Sequence, residues 1–467
     1  MIDKSQKPTQ VRYRVLAFVC GLSMITYLDR VCFGAAAPLM AAELGLSGVA
    51  QLKWAFVAFS IAYGLFEVPA GWLGDRWGPR GTLVRIVAWW SVFTALTGLV
   101  GLRWGAYTCG GLTSLIVLRF LFGAGEAGAY PNITRVIHNW FPSQQWETAQ
   151  GLVWMSGRLA GGLTPLLWAV LVGGTAWTVP LVHWRGAFFV FAAVGLVWCF
   201  AFARWFRNHP TEHSSVNSLE RELIGSREAT GDKIHSVPWC KLFTNRSLLA
   251  LCVSYSLINY GWYFNITYLP GYLKDRYQVT DSDLWGAVYK GAPLWLGAVG
   301  CVLGGVFVNA TSRAVGNRGR GRQLVCIPAL LMCGLCWWGA RFATNIHAFC
   351  WLISLAAFGI DLTLGATWAS CQDIGRRHAA VVAASMNMIG TFGSALAGWV
   401  TGTIVERGLA QQAADLGIQM NEMSAEVNQA ATVAGFDTVF STYAAIYIVA
   451  AICWLAINPS NTIEAST

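Results

Sequence analysis

The chain has 467 residues, 55% of them hydrophobic and only 12% charged, with 24 tryptophans, 50 glycines and a formal net charge of +9. A soluble domain is about a quarter charged, so this composition excludes an ordinary soluble enzyme and predicts a polytopic membrane protein. The positive charge does not predict a nucleic-acid partner, because the basic residues concentrate in alternate loops between apolar runs.

The short basic start (Lys4, Lys7, Arg12) leads into an apolar segment that carries Asp29 and Arg30 and is too long for a signal-peptide core. It is expected to stay as the first span. Further apolar runs follow, and together they lie near 13–40, 53–74, 82–102, 111–133, 148–173, 186–206, 247–270, 284–308, 323–342, 346–370, 380–404 and 437–457. Their lengths predict twelve transmembrane helices. With a cytoplasmic N-terminus, twenty-one of the 32 Lys and Arg residues fall on the inner side and eight on the outer. That asymmetry predicts both termini inside. The remaining three, Arg30, Arg119 and Arg158, fall within spans.

A polar stretch at 207–246, containing SLERELIGSRE, divides the chain into an N-terminal set of six spans (1–206) and a C-terminal set (247–467). It reads as a cytoplasmic linker. A second polar stretch, 406–435, is expected to form a solvated helix or loop on the outer side. The expected fold class is therefore an all-α membrane protein with two pseudo-symmetric six-helix bundles. A faint repeat supports this: Gly71, Asp75, Arg76, Gly78 and Arg80 are echoed by Gly305, Asn309, Arg313, Gly316 and Arg318, and Glu126 by Asp361. Repeats of this kind place a substrate site near the midplane, where the halves meet.

Charges at membrane depth cost at least about 2.5–3.5 kcal/mol each on insertion scales, so they need partners or a function. In span 1, ITYLDRVCFGAAAP, Asp29 and Arg30 point about 100° apart, so one can face a cavity while the other faces neighbouring helices. A guanidinium in a low-dielectric cavity suits a carboxylate through two parallel hydrogen bonds. In span 4, LRFLFGAGEAGAYP, Arg119 and Glu126 lie seven residues apart on one face, roughly 10 Å along the axis, too far to neutralise each other directly. Burial favours the neutral form of a carboxyl group and a nearby arginine favours the charged form, so an arriving anion can switch protonation. Glu126 and Asp29 are the candidate proton carriers; the alternative is structural ion pairing between helices.

The segment GWLGDRWGPR reads as a tight basic cytoplasmic turn, in which Asp75, Arg76 and Arg80 can form charge pairs made in one gate state and broken in another. Arg158, in WMSGRLAGGLTP, has three readings: binding a second anionic group, neutralising Asp361 or Glu126, or reaching an interface by snorkelling. In span 7, Tyr255, Asn259 and Tyr260 form a polar aromatic surface suited to a sugar or hydroxy acid, or simply pack between helices. Cys333 and Cys336 form a CxxC inside an apolar run with no second ligand pair, so neither a metal nor a cofactor is expected. None of the sequons at Asn132, Asn245, Asn265 and Asn309 reads as glycosylated, because they fall in spans or on the inner side.

GWLGDRWGPR resembles the signature loop of the major facilitator superfamily. Within it, TYLDRVCFGAAAP, LRFLFGAGEAGAYP, HNWFP (138–142), HWRGAFF (183–189) and NHPTEH (208–213) resemble the anion:cation symporter family. The resemblance implies alternating access, with Arg30 on the substrate carboxylate, Asp29 and Glu126 as proton sites, and Arg119 in the coupling network. It also places Tyr63 and Asn387 where cavity-lining polar residues stand in relatives, with Trp368 and Ser370 as weaker candidates. Glu67 departs from a position often held by glutamine, Asn309 replaces a second-half acidic residue, and Arg158 and Asp361 are additional charges.

The expected function is proton-coupled symport of a small organic anion, a sugar acid or related carboxylate, by a monomer in the plasma membrane (the inner membrane if bacterial). The rivals are an efflux or exchange carrier on the same fold, and a sensor that binds the anion without moving it. An enzyme is not expected, since no HExxH, GxSxG or paired-aspartate pattern occurs in the spans.

Overall fold

The computed structural model describes residues 7–46, 49–104, 107–173, 181–225, 236–279, 284–419 and 422–464. Lys4, Arg227 and Lys233, counted above on the inner side, lie outside them, as does part of the expected linker.

The described chain is helical apart from a hairpin of two short strands, β1 (Arg103–Trp104) and β2 (Tyr107–Thr108). Its helices are α1 (Val11–Glu43), α2 (Lys53–Trp77), α3 (Pro79–Thr97), α4 (Leu112–Glu126), α5 (Ala129–Trp140), α6 (Trp146–Trp168) and α7 (Trp184–Trp205). Two short ones follow, α8 (Ser218–Ile224) and α9 (Trp239–Thr244). The rest are α10 (Arg246–Thr267), α11 (Leu269–Tyr277), α12 (Leu284–Val315), α13 (Arg318–Ala340), α14 (Ile346–Gly375), α15 (Ala379–Leu416) and α16 (Ala425–Ala456). With α4 and α5 taken as one crossing, and α10 and α11 as another, the long helices supply the twelve spans of an all-α membrane fold. Large apolar side chains left on the outside, such as Phe200 (74% exposed), Leu335 (72%) and Trp399 (70%), are the surface a bilayer would cover.

The chain forms two compact units. One comprises 1–243, 368–388 and 460–467; the other comprises 244–367 and 389–459. The end of α14 and the start of α15 therefore belong to the first unit.

Two expectations about local structure change. GWLGDRWGPR is not a loop along its length: α2 continues through Asp75 and Arg76 to Trp77, and only Gly78 (φ 84°) turns the chain before Pro79 opens α3. Span 4 is not continuous either. It breaks after Glu126, where Gly128 adopts φ 82° and a β-carbon on it would lie 2.3 Å from that of Ala70. Both the backbone angle and the close approach demand glycine there. The break leaves Glu126 at the last turn of α4 and starts α5 at Ala129. The polar 406–435 stretch is mostly the extension of α15 and the start of α16, with a short described turn at 422–424, and is largely exposed.

The part of the linker that follows α7 is tied down on the first unit. Asn217 caps α8 by accepting from the Glu220 amide (2.9 Å), and its side-chain amide donates to the Lys7 carbonyl (2.8 Å). Glu220 is fully buried and accepts from Thr9 Oγ1, the amides of Val11 (3.0 Å) and Arg12 (3.2 Å), and Arg12 Nη1 (3.0 Å). Burial works against its charge, but those donors hold its carboxyl below the ordinary glutamate range. The carboxylate thus serves as an N-terminal cap for α1 supplied from far along the chain.

Candidate transport site

Arg30 and Glu126 form the centre of the site. Arg30 Nε donates to Glu126 Oε1 at 2.7 Å; the glutamate side chain is 1% exposed and the arginine 30%. Glu126 Oε2 makes no hydrogen bond among the described residues, nor does Arg30 Nη2. The guanidinium also lies over the Tyr63 ring (4.5 Å) and nearer the edge of Phe59's reach (5.5 Å). An arginine held by a carboxylate through Nε, with Nη2 making no hydrogen bond among the described residues, is prepared to exchange that carboxylate for an incoming anion.

Asp29 and Arg119 occupy the adjoining interior. Asp29 is buried, with both carboxyl oxygens lacking a hydrogen bond among the described residues, and its electrostatic neighbours are Glu126, Arg119 and the Trp90 indole. Arg119 is buried in an aromatic cage, its guanidinium 4.0 Å from the centre of Phe33, 4.7 Å from Phe122 and 4.8 Å from Phe59. Cation–π contacts of this kind support a desolvated guanidinium without consuming its hydrogen-bond donors. Asp29, Arg30, Arg119 and Glu126 are therefore brought together. The specific close pair is Arg30–Glu126, contributed by α1 and α4.

On the far side of Tyr63 the network continues to Glu67, one turn along α2. Asn387 Nδ2 donates to Glu67 Oε1 at 2.6 Å and to the Tyr63 hydroxyl at 3.3 Å. Glu67 is fully buried and its Oε2 makes no hydrogen bond among the described residues. The two residues inferred from resemblance, Tyr63 and Asn387, thus meet around the glutamate that departs from the resembled pattern.

Beside Arg30 runs an aromatic wall. Arg158 is buried on α6 and donates to the Tyr27 hydroxyl at 2.7 Å, with the Trp154 ring 5.7 Å from its guanidinium. Trp154 stacks on Tyr130 (4.4 Å, 8°), and Trp368 packs against both, at 5.3 and 6.0 Å. Tyr130 is anchored to Ser23 by a hydroxyl contact of 2.9 Å. Tyr27, Tyr130 and Trp154 were not singled out from the sequence. Tyr27 stands one turn before Arg30 on α1, whereas Tyr130 opens α5, across the break from Glu126.

Asp361, Tyr255 and Asn259 belong to the second unit. Asp361 is fully buried in the second unit, where Asp361 Oδ2 lies 2.2 Å from where a β-carbon on Gly297 would stand, with Cys333 and Tyr447 as electrostatic neighbours. Tyr255 and Asn259 pack along α10 against Gly390 of the same unit, with Asn259 Nδ2 donating to the Tyr255 carbonyl (2.7 Å). Ser370 is fully buried near the end of α14.

The gating residues have definite partners. Asp75 accepts from the amides of Ala380 (3.2 Å) and Val381 (2.8 Å) at the start of α15, and Arg135 Nε lies 3.7 Å from it. Arg135 also donates to the carbonyls of Arg376 and Arg377. Arg80 binds the Ala203 carbonyl through its guanidinium and Asn208 Oδ1 through its amide (2.9 Å), while Arg76 lies over Trp72. Of the three expected gate residues, Asp75 is paired with Arg135 and with the start of α15.

Residues 19–398 match the family model of the Major Facilitator Superfamily. The chain belongs to the major facilitator superfamily. It is a multi-pass membrane transporter rather than an enzyme, and it resembles the superfamily's anion:cation symporters. Among its relatives, the probable sulfoacetate transporter SauU of Cupriavidus necator is 32% identical over 85% of this chain and 88% of its own. The probable galactarate/D-glucarate transporter GudP of Escherichia coli K12 is 29% identical over 70% of this chain and 72% of its own. The major facilitator fold is also found in a bacterial homologue of the human lysosomal transporter Spinster, in an inward-facing, unoccupied conformation. The TM-score is 0.63 at 18% identity, with 99% of each chain covered.

Proposed function

We propose that this transporter moves a small organic anion, a sugar acid or related carboxylate, together with protons, by alternating access of its two six-helix halves (1–206 and 247–467, joined by 207–246). Relatives named for sulfoacetate, galactarate or glucarate, and hexuronate support the substrate class. The observation that carries the coupling is the Arg30–Glu126 contact of 2.7 Å in a buried setting.

The incoming carboxylate takes the fork of Arg30 and releases Glu126. Once released into a low-dielectric interior, Glu126 binds a proton, and Asp29, close by with Arg119, is the second proton site. After the anion leaves, Arg30 reclaims Glu126 and expels the proton on the other side. Asn387, Tyr63, Arg158, Tyr255 and Asn259 supply hydrogen bonds to substrate. Asp75, Arg76 and Arg80 belong to the gate, and Asp361 to the coupling set of the second half. The protein acts as a monomer in the plasma membrane with both termini cytoplasmic.

In proteoliposomes, an inward pH gradient should drive accumulation of a radiolabelled sugar acid, and a protonophore should abolish it. Accumulation driven only by an opposing gradient of a second anion would instead favour an exchange carrier. Binding without counterflow would favour a sensor.

A further inference from the structure

We propose that Phe59 is a positioning residue of proton coupling: with Phe33 and Phe122 it withholds Arg119 from Glu126 and Asp29, leaving both carboxyls free to take up protons. This deepens the proton-coupled reading above and rests on it. All of these residues belong to the first unit.

The first observation is a set of opposite charges that lie close and do not pair. Asp29, Arg119 and Glu126 are buried and within electrostatic reach of one another. Yet both oxygens of Asp29, Oε2 of Glu126 and Nε of Arg119 make no hydrogen bond among the described residues, and the ion pair of Glu126 is with Arg30. In a low-dielectric interior, a bare guanidinium beside a bare carboxylate collapses into a hydrogen-bonded pair unless something holds the two apart.

The second observation is what holds them apart. The Arg119 guanidinium is enclosed by one ring from each of three helices, Phe33 of α1 at 4.0 Å, Phe122 of α4 at 4.7 Å and Phe59 of α2 at 4.8 Å. Ring faces attract a cation without occupying its N–H donors, so they hold Arg119 in place and leave its charge intact. Phe59 is itself fixed. It packs against Tyr63 at 5.7 Å and Phe122 at 5.8 Å, and its carbonyl lies 2.5 Å from where a β-carbon on Gly123 would stand, so α2 and α4 touch at this point.

The third observation is that Phe59 serves both arginines, since the Arg30 guanidinium lies 5.5 Å from the centre of the same ring. The charged and titratable groups that face Glu126 are Arg30 and Asp29 from α1, Tyr63 and Glu67 from α2, and Arg119 from its own helix. Arg30 is the arginine in contact with it. A second arginine on Glu126 would favour the ionised form and keep the carboxyl charged after substrate takes Arg30. Arg119 on Asp29 would do the same to the second proton site. The ring of Phe59 prevents both, so that departure of one arginine is enough to let Glu126 take a proton.

The test is the pH profile of uptake by the full-length protein in proteoliposomes, measured with radiolabelled sulfoacetate, D-glucarate and D-galacturonate. Phe59→Leu keeps apolar bulk but removes the ring face, which frees Arg119 to pair with a carboxyl. Half-maximal acid stimulation should move to lower pH by about one unit or more, with a melting temperature near wild type. Phe59→Tyr, which keeps the ring, should keep the wild-type profile, and Phe33→Leu, which removes the nearest ring of the cage, should shift it in the same direction as Phe59→Leu. Where uptake by a variant is too slow to follow, the pH dependence of probe binding, read by thermal shift in detergent, reports the same displacement. A wild-type profile in folded Phe59→Leu protein would overturn the proposal, as would an equal shift in Phe59→Tyr. So would folded Phe59→Leu protein that binds none of the three probes, because the ring is assigned no contact with substrate. Wild-type uptake that does not respond to pH, or no uptake of any probe, would overturn the proton-coupled reading itself, and this inference with it.

Discussion

Arg30 and Glu126, 96 positions apart in the chain, meet at 2.7 Å through a single guanidinium nitrogen. Because Nη2 of that arginine makes no hydrogen bond among the described residues, the pair is incomplete in a way a bidentate structural salt bridge would not be. Arg30→Lys keeps the charge but removes the fork. The expected outcome is binding of the transported anion weakened by at least about tenfold, with a melting temperature close to wild type, measured by ligand-induced thermal shift. Undiminished binding would show that the fork is not used.

Glu67 and Asn387 offer a separation of structure from chemistry. Glu67→Gln retains the carbonyl oxygen that accepts from Asn387 at 2.6 Å, so the folded protein should lose less than about 1 kcal/mol. Glu67→Ala removes the short acceptor of Asn387 and opens a cavity, and should cost about 2–4 kcal/mol. Melting curves of the two purified variants distinguish these outcomes, and equal losses would contradict the assignment of this contact.

Much of this site was legible in the sequence. Charged residues inside apolar runs are rare and costly enough to identify themselves, and helical spacing placed Asp29 beside Arg30 and Arg119 on the face of Glu126. The aromatic wall was not legible, because Tyr27, Tyr130 and Trp154 are ordinary members of apolar helices until their neighbours from other helices are known. The same is true of Asp75: the local sequence offered Arg76 and Arg80 as partners, but α2 remains helical through Trp77, and the residues that meet Asp75 come from α5 and α15. Twelve apolar runs predicted the number of spans, yet the break at 127–128 was hidden inside a run rich in glycine, where periodicity gives no boundary.

That break yields its own prediction. Gly128→Ala places a side chain at φ 82° and 2.3 Å from the Ala70 β-carbon, so either α5 shifts or the turn unwinds. The backbone angle alone should cost about 1–3 kcal/mol. Because Glu126 is only two residues away, transport should fall with stability, whereas Gly225→Ala, also at positive φ but with open space around it, should lower stability without comparable loss of transport. Parallel thermal-shift and uptake measurements on the two variants check this.

The clamp between α8 and the start of α1 predicts a pH dependence. Glu220 has a lowered carboxyl pKa in the folded protein, so its stabilisation is fully present above the ordinary glutamate value of 4.5 and is lost as pH falls through the folded value. Removing it by Glu220→Ala leaves Arg12 buried without its counter-charge and should cost about 3 kcal/mol at neutral pH. The gap between wild-type and Glu220→Ala melting temperatures should narrow as the buffer is taken below that range. A gap independent of pH would mean the carboxylate charge contributes nothing.

Proton coupling depends most on Glu126 being the proton carrier that substrate releases from Arg30. The direct measurement compares pH-gradient-driven uptake with substrate counterflow by Glu126→Gln protein in the same liposomes. Driven uptake should fall by about two orders of magnitude while counterflow persists, since the amide can still leave Arg30 but cannot carry a proton. Acid-stimulated uptake at the wild-type rate in Glu126→Gln would contradict it.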